Sequence, residues 1–382
     1  MASRKIPFVD PNITEDEIIA VSEVLRSKNL VEGKRVRSFE RKFAKLCETK
    51  YAIACSNGTT ALHLAMESSP LKPGDEVITT PFTFIATSNS ILFTGAVPKF
   101  VDIDPETWNL DTEKTAENIT EKTKAIMPVH IFGLPSNMPY FRDLAEDKDL
   151  YLIEDAAQAH GGKINGKHVG GFGEVATFSL YATKNLISGE GGIITTNNDD
   201  LATEIISLKN HGRTPKGGYT HDRVGYNARM SDVTGAIADV QMDKLASMLK
   251  KRKDIAEIYR KTIDEITNIS FQKVPKGYEH GNYIFAIDTR RHSKKPTEAI
   301  KELNEFGVMA RPIYSTLSYQ QNNFKNIQDW RWATFVNYPN YNLTKCPNAE
   351  EIAINHFEIP VVPSLSSNEV EKVQQAITEV FS

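Results

Sequence analysis

Four small groups of residues in this sequence have the types and spacing that chemistry needs. Lys184 lies in Phe178-Ser179-Leu180-Tyr181-Ala182-Thr183-Lys184-Asn185-Leu186, after a strand-like run and before Gly189-Glu190-Gly191-Gly192. Lysine is the side chain that condenses with carbonyls to form Schiff bases, and flanking glycines let a bound group approach closely. Taken alone, a lysine in such a place is ordinarily a surface charge. Asp155 ends the apolar run Leu150-Tyr151-Leu152-Ile153-Glu154-Asp155. There it can cap a helix or hold a structural partner. It can equally pair with a pyridinium nitrogen, because a nearby carboxylate stabilises that cation. Asn57-Gly58-Thr59 stands at a strand-to-helix junction, where free backbone N–H groups and a hydroxyl form an anion site or a plain N-cap. Ser179, five residues before Lys184, offers a second hydroxyl to the same anion or is simply a strand residue. His63, His130, His160 and His168 have no metal-ligand spacing, and no His-Glu-x-x-His or Cys-x-x-Cys is present, so no catalytic metal is expected.

Positioning these residues takes alternating strands and helices. Strand-like runs occur at Tyr51–Cys55, Val77–Thr80, Val97–Val101, Ala125–Val129, Leu150–Asp155, Val175–Leu180 and Gly192–Thr196. Helical patterns follow Thr14, whose Thr-Glu-Asp-Glu start is a capping box, and cover 38–47, 61–66, 84–93 and about 231–260. The β–α alternation predicts an α/β fold with a mostly parallel sheet covered by helices on both faces. Ligands on such sheets bind beyond the carboxyl ends of the strands, where Asp155 and the loops after Cys55 and Thr80 meet. The pattern changes after the long helix: 282–288 reads as a strand, 297–306 and 369–380 as helices, and 315–350 as a long loop. We place a large domain at 1–255 and a smaller α+β domain at 256–382, with the N-terminal segment, roughly residues 1–30, packing on the smaller one.

Composition narrows the function classes. The 382 residues carry 45 Lys+Arg against 49 Asp+Glu, a net charge of −4, with 40% apolar and 25% charged residues. At roughly 150 residues per domain, two domains are expected. The acidic balance argues against a nucleic-acid binder. Three cysteines, Cys47, Cys55 and Cys346, do not make a disulfide framework and suit a reducing compartment. Without an apolar leader or a run of about 18 apolar residues, the sequence reads as cytoplasmic.

The whole chain resembles the DegT/DnrJ/EryC1/StrS family of PLP-dependent sugar aminotransferases. The resemblance rests on Asn57-Gly58-Thr59-Thr60-Ala61-Leu62-His63-Leu64, Pro73-Gly74-Asp75-Glu76-Val77-Ile78, Phe100-Val101-Asp102-Ile103-Asp104-Pro105-Glu106-Thr107, Pro128-Val129-His130-Ile131-Phe132-Gly133, Glu154-Asp155-Ala156-Ala157-Gln158-Ala159-His160-Gly161, Thr183-Lys184-Asn185 with Gly189-Glu190-Gly191-Gly192, and Gly225-Tyr226-Asn227-Ala228-Arg229-Met230. These stretches run in family order from 57 to 230. The resemblance implies an aspartate-aminotransferase-like fold (fold type I) with a seven-stranded sheet.

It also implies roles. Lys184 holds pyridoxal 5'-phosphate (PLP, becoming PMP) and later shuttles protons. Asp155 pairs with the ring nitrogen and Gln158 contacts the ring's phenolic oxygen. Gly58, Thr59 and Ser179 bind the phosphate, and Phe84 stacks on the ring. Asn227 reaches the phosphate of a neighbouring subunit, which implies a homodimer with shared sites. The expected substrates are glutamate as amino donor and a nucleotide-linked keto sugar. Arg229, Arg311 and the run Lys34-Arg35-Val36-Arg37 are candidates for the substrate diphosphate, by charge-assisted hydrogen bonds. His160 is a candidate for the lining of the site. Gly-Glu-Gly-Gly after Lys184 favours amination at C4 of the sugar over C3.

Three positions depart from the family pattern: Asn57 for serine, Ala182 for proline, and no histidine near Ser318. Two other readings are a dehydrase of the same family, which calls for histidine at 184, and a non-catalytic scaffold or regulator on the same fold, which needs no Schiff-base lysine. A dinucleotide-binding protein is disfavoured, because no strand leads into Gly-x-Gly-x-x-Gly.

Overall fold

The computed structural model describes residues 5–214 and 218–382. The capping box at Thr14 forms as the sequence predicts: the Glu17 carboxylate accepts from the Thr14 backbone N–H at 2.8 Å, opening a helix over Glu15–Ser27. No helix among the described residues is long and apolar enough to cross a membrane.

Seven strands form the central sheet: β1 (Tyr51–Cys55), β2 (Glu76–Thr79), β3 (Val97–Phe100), β4 (Thr123–Met127), β5 (Tyr151–Asp155), β6 (Val175–Ser179) and β7 (Gly192–Thr196), in the order β1-β7-β6-β5-β4-β2-β3. All neighbours are parallel except β7, which runs antiparallel to both β1 and β6. Strands buried on both faces must be apolar throughout, and Val77, Ile78, Ala125, Ile126, Leu152 and Ile153 are all nearly inaccessible. Alternation along β5 sends Ile153 into a core with Leu62 and Val175, while Leu152 joins Ile126 and Phe141 on the other face.

Register decides what meets at the sheet's edge. Gly192 on β7 is opposite Cys55 on β1 and Ser179 on β6. The strand ends that lead to Asn57-Gly58 and to Lys184 therefore lie side by side. The middle position demands glycine, since a Cβ there would stand 2.3 Å from the Asn57 carbonyl oxygen.

A single 33-residue helix, Asp232–Asp264, links the two halves of the chain. Its Leu245 and Met248 pack with Phe39, Phe43 and Phe178 over the central sheet. Its Ile255, Ala256, Tyr259 and Ile263 pack instead with Phe285, Ile287, Phe357 and Ile377 around a three-stranded antiparallel sheet of 270–271, 285–288 and 356–359. Residue 255 thus lies inside the helix, just where packing passes from one core to the other. At the N-terminus, Ile6 joins this second core, while Ala20 and Val24 pack on Ala236 of the long helix.

The stretch 315–350 differs from the expected long loop. It is a series of short helical turns, with a further helix over Pro347–Asn355. Its aromatic residues are anchored to the large sheet's connections: Trp330 and Trp332 donate to the Leu92 and Phe93 carbonyls at 3.2 and 3.1 Å, and the Tyr341 hydroxyl donates to the Pro98 carbonyl at 2.8 Å. No period marks such a segment, because its order comes from contacts distant in sequence.

Candidate active site

After Ser179 the chain leaves β6 and folds back on itself. Leu180 N–H donates to Gly191 O and Ser188 N–H to Leu180 O, both at 2.8 Å, which closes a loop around Lys184. Asn185 fastens that loop by donating to the carbonyls of Gly281 (2.7 Å) and His160 (3.2 Å). Lys184 itself is half-buried. Among the described residues its ammonium has no hydrogen bond and no ion pair; it sits over the Tyr283 ring, 4.3 Å from the centroid. The Tyr283 hydroxyl is 2.9 Å from Thr183 Oγ1.

Asp155 is 3% exposed at the end of β5. Its Oδ2 accepts from Thr87 Oγ1 at 2.7 Å and its Oδ1 from Ala157 N–H at 3.1 Å. Thr83 Oγ1 stands 3.0 Å behind Thr87 and completes a short hydroxyl relay. Burial pushes the Asp155 carboxyl above its ordinary value; the Thr87 and Ala157 hydrogen bonds and the nearby Lys184 charge work against that shift. A buried carboxylate with no cation bonded to it is set to favour a positive charge placed beside it.

Gln158 is held at both ends. Its Oε1 accepts from Phe132 N–H at 2.9 Å, and its Nε2 donates to the Tyr314 hydroxyl at 3.2 Å. The Phe132 and Tyr314 rings lie nearly parallel, 5.9 Å apart. Both residues have left-handed backbone, with φ of 58° and 46°, as does Asn282 at 48°. Bulky residues rarely adopt that region, at a cost of about 1–3 kcal/mol each, and such strain gathers where geometry serves a site.

Asn57 caps the helix Gly58–Glu67, its Oδ1 accepting from Thr60 N–H at 2.8 Å. Gly58 packs directly against Ser179: a Cβ on Gly58 would come within 2.7 Å of Ser179 Cβ and 3.0 Å of its hydroxyl. Thr59 is exposed beside it. The start of this helix, with the Thr59 hydroxyl, thus lies beside Ser179, and a helix N-terminus favours an anion.

The structure therefore brings Lys184, Asp155, Gln158 and the Gly58–Ser179 cradle to one end of the sheet. Phe84 is 57% exposed, although it lies between the buried Thr83 and the helix Ala86–Phe93. Asn227 is exposed on a segment bridged to Asn210.

The polar substrate candidates are differently placed. Arg229 donates to Asn210 Oδ1 at 2.7 Å, and Arg35 is engaged by Glu23 and Asp239. Arg311 pairs with Glu358, its guanidinium 4.6 Å from the Phe8 ring centroid. His160 is 1% exposed, edge-on to Phe43 and tilted against Phe178, and among the described residues neither ring nitrogen has a hydrogen-bond partner. Burial pushes its pKa well below the usual histidine value, helped by the Lys184 charge, so it is a neutral packing group here.

Sequence reasoning missed Thr87, Tyr283 and Tyr314. Thr87 gave no signal beyond lying four residues after Thr83 in a helical stretch. Tyr283 and Tyr314 come from the second half of the chain, about 100 or more residues after Lys184, and only the docking of the two halves delivers them. A cleft of ≈ 960 Å³ on the outer side of the long helix, lined by Leu249, Lys253, Arg260 and His280, shares none of the site residues.

The residues present fit PLP. Among the described residues Lys184 offers an amine with no hydrogen-bond or ion-pair partner and Asp155 a buried carboxylate with no cation bonded to it, and Gly58 with Ser179 forms a cradle that a single Cβ would fill. Residues 11–378 match the model of the DegT/DnrJ/EryC1/StrS aminotransferase family. GDP-perosamine synthase of Escherichia coli O157:H7 is 34% identical over 378 residues, 99% of each chain. UDP-N-acetyl-3-dehydro-alpha-D-glucosamine 3-aminotransferase of Acidithiobacillus ferrooxidans is 32% identical over 97% of each. The crystal structure of NtdA from Bacillus subtilis with bound cofactor PMP superposes with a TM-score of 0.88 at 29% identity, covering 100% of this chain and 86% of that one. The chain belongs to the DegT/DnrJ/EryC1/StrS aminotransferase family and is a PLP-dependent transaminase.

Proposed function

We propose that this transaminase moves an amino group from glutamate to the 4-keto carbon of a nucleotide-linked deoxyhexose, giving an amino sugar. The observation that carries the reading is the unpartnered Lys184 amine beside the buried Asp155, in a chain related end to end to GDP-perosamine synthase. When bound, PLP supplies a carbonyl that condenses with amines and a ring that takes up the electron pair left by a departing proton.

The protein's own residues do the rest. Lys184 anchors the cofactor, then removes the α-proton of glutamate. In the second half of the cycle it returns a proton to the sugar carbon that receives nitrogen. Asp155 keeps a proton on the ring nitrogen, because its buried charge is neutralised only while that nitrogen stays cationic. Thr87 and Ala157 N–H orient the carboxylate for this. Gly58, Thr59 and Ser179 hold the phosphate, and Gln158 faces the phenolic oxygen. Exposed Phe84 is free to cover the ring. Exposed Asn227 reaches the phosphate of a second copy, so two chains share each site. Arg229 and Arg311 would have to exchange Asn210 and Glu358 for the substrate diphosphate, and we give the buried His160 no substrate contact.

A 3-keto substrate is the second reading, favoured by the 3-aminotransferase relative. A panel of nucleotide-linked 4-keto and 3-keto sugars, with glutamate as donor and products resolved by mass, separates the two. Borohydride should fix the cofactor to the peptide carrying Lys184. Lys184→Ala should lose turnover by about a thousandfold or more; full transamination by that variant would sink the assignment.

A further inference from the structure

We infer that Tyr283 holds the Lys184 side chain in its working position, and that Arg252 on the long helix is the residue that positions Tyr283. The inference rests on the transaminase reading only in giving Lys184 work to do; the contacts stand without it. Tyr283 grips the lysine loop twice. Its ring face carries the Lys184 ammonium, and its hydroxyl is bonded to the adjacent Thr183. An ammonium over an aromatic face is attracted to the ring's negative quadrupole. That contact is soft: it orients the amine without a hydrogen bond that would have to break each time the amine reacts.

Tyr283 is itself fixed from behind. Its N–H donates to the Phe132 carbonyl at 3.1 Å. Arg252 Nη1 donates to the carbonyls of Tyr283 (3.4 Å), Asn282 (3.3 Å) and Val361 (3.1 Å). Asn282 is further held by Arg260 Nη2, which donates to its Oδ1 at 2.8 Å.

Arg252 is an unusual choice for packing alone. It is 5% exposed, has no carboxylate partner among the described residues, and leaves its Nε without a hydrogen bond. Burial lowers its pKa to about 10, so it remains charged at neutral pH. Burying a guanidinium costs desolvation free energy that a hydrophobic residue of similar volume does not. What such a residue could not do is tie three carbonyls together. Two of these belong to the segment that presents Tyr283, and the third follows the strand His356–Ile359. Arg252 also lines one small pocket together with Thr183, Lys184 and Asn185.

The test uses the full chain with and without cofactor, and the variants Tyr283→Leu, Tyr283→Phe, Arg252→Met and Arg252→Lys, each first checked for wild-type circular dichroism and cooperative melting. In cofactor-free protein, acetylation of Lys184 by limiting acetic anhydride is timed by peptide mass spectrometry. With the ring face removed, Tyr283→Leu should acetylate about two- to fivefold faster. Tyr283→Phe, which keeps the face, should stay close to wild type. Arg252→Met should resemble Tyr283→Leu, with Arg252→Lys in between. In the loaded enzyme, Tyr283→Leu and Arg252→Met should lower kcat about tenfold or more with little change in the KM for glutamate. Unchanged acetylation in Tyr283→Leu overturns the role of the ring; unchanged acetylation in a folded Arg252→Met overturns the clamp. Should Arg252→Met fail to fold, wild-type acetylation in Arg252→Lys overturns the clamp and faster acetylation supports it. Acetylation requires no transamination, so altered acetylation in a chain that converts no amino donor would reject the proposed function and leave this inference intact.

Discussion

Two carboxylates stand next to each other at the end of β5, on opposite faces of the sheet, and their surroundings differ. Glu154 is wholly buried and fully satisfied: it accepts from the N–H groups of Gly170, Phe172 and Gly173 at 2.7–2.9 Å and lies 3.2 Å from His130 Nε2. Because His130 Nδ1 accepts from Ser136 N–H at 3.0 Å, the ring proton is on Nε2 and points at Glu154. Burial alone would raise the Glu154 pKa, but these bonds bring it below the ordinary value. Asp155, one residue on, has only two donors among the described residues, and its pKa is raised. Glu154 thus completes the interior, whereas Asp155 keeps acceptor capacity to spare. A buried acid with its bonds complete belongs to the fold, and one left short marks the site.

This contrast can be broken or sharpened by measurement. Asp155→Asn should reduce kcat about a hundredfold or more, as loss of a preorganised electrostatic partner does. The same variant should not destabilise the cofactor-free protein near neutral pH. A carboxyl whose folded pKa is raised contributes stability below its unfolded value near 3.8, and that contribution is lost as pH rises through the folded value. Urea melts of the cofactor-free variant at pH 5 and pH 8 check this; a large loss of stability at pH 8 would place Asp155 with Glu154 as part of the fold. Glu154→Gln should do the reverse, costing about 3 kcal/mol of stability while turnover per loaded site is retained.

Gly58→Ala comes next in size. The added methyl has to displace Ser179, and overpacking of this kind costs about 1–3 kcal/mol, felt as weaker cofactor retention on titration of the cofactor-free chain. The smallest effect concerns His160. Its depressed pKa means that it stays neutral when folded; its share of stability is present above the ordinary value of 6.5 and is lost as pH falls toward the folded pKa. His160→Phe should flatten the fall of stability below pH 6.5 by about one proton, ~1.4 kcal/mol per pH unit. An unchanged slope would mean that the ring is not neutral in the folded chain.

The first half of the site was legible because each of its residues ends a strand or starts a helix. Asp155 closes an apolar run, Asn57 precedes a helical pattern, and Lys184 follows β6 before a glycine cluster. Period and punctuation mark such junctions directly. The mate of Asp155 was not legible, because Thr87 is one of several hydroxyl residues on its helix and nothing local singles it out. The tethering of Arg229 and Arg311 to Asn210 and Glu358 was hidden for the same reason: charge is visible in a sequence, but its partner is not.

Alone, the order of residues determined the β–α alternation and the capped helix start after Asn57, since these depend on contacts along a few neighbouring residues. Only the tertiary structure decided that Gly58 meets Ser179, that Tyr283 lies against Lys184, that Tyr314 meets Gln158 and that Arg252 holds the segment of Tyr283. Those contacts join segments tens to more than a hundred positions apart, and their partners are chosen by the packing of whole elements rather than by any local pattern.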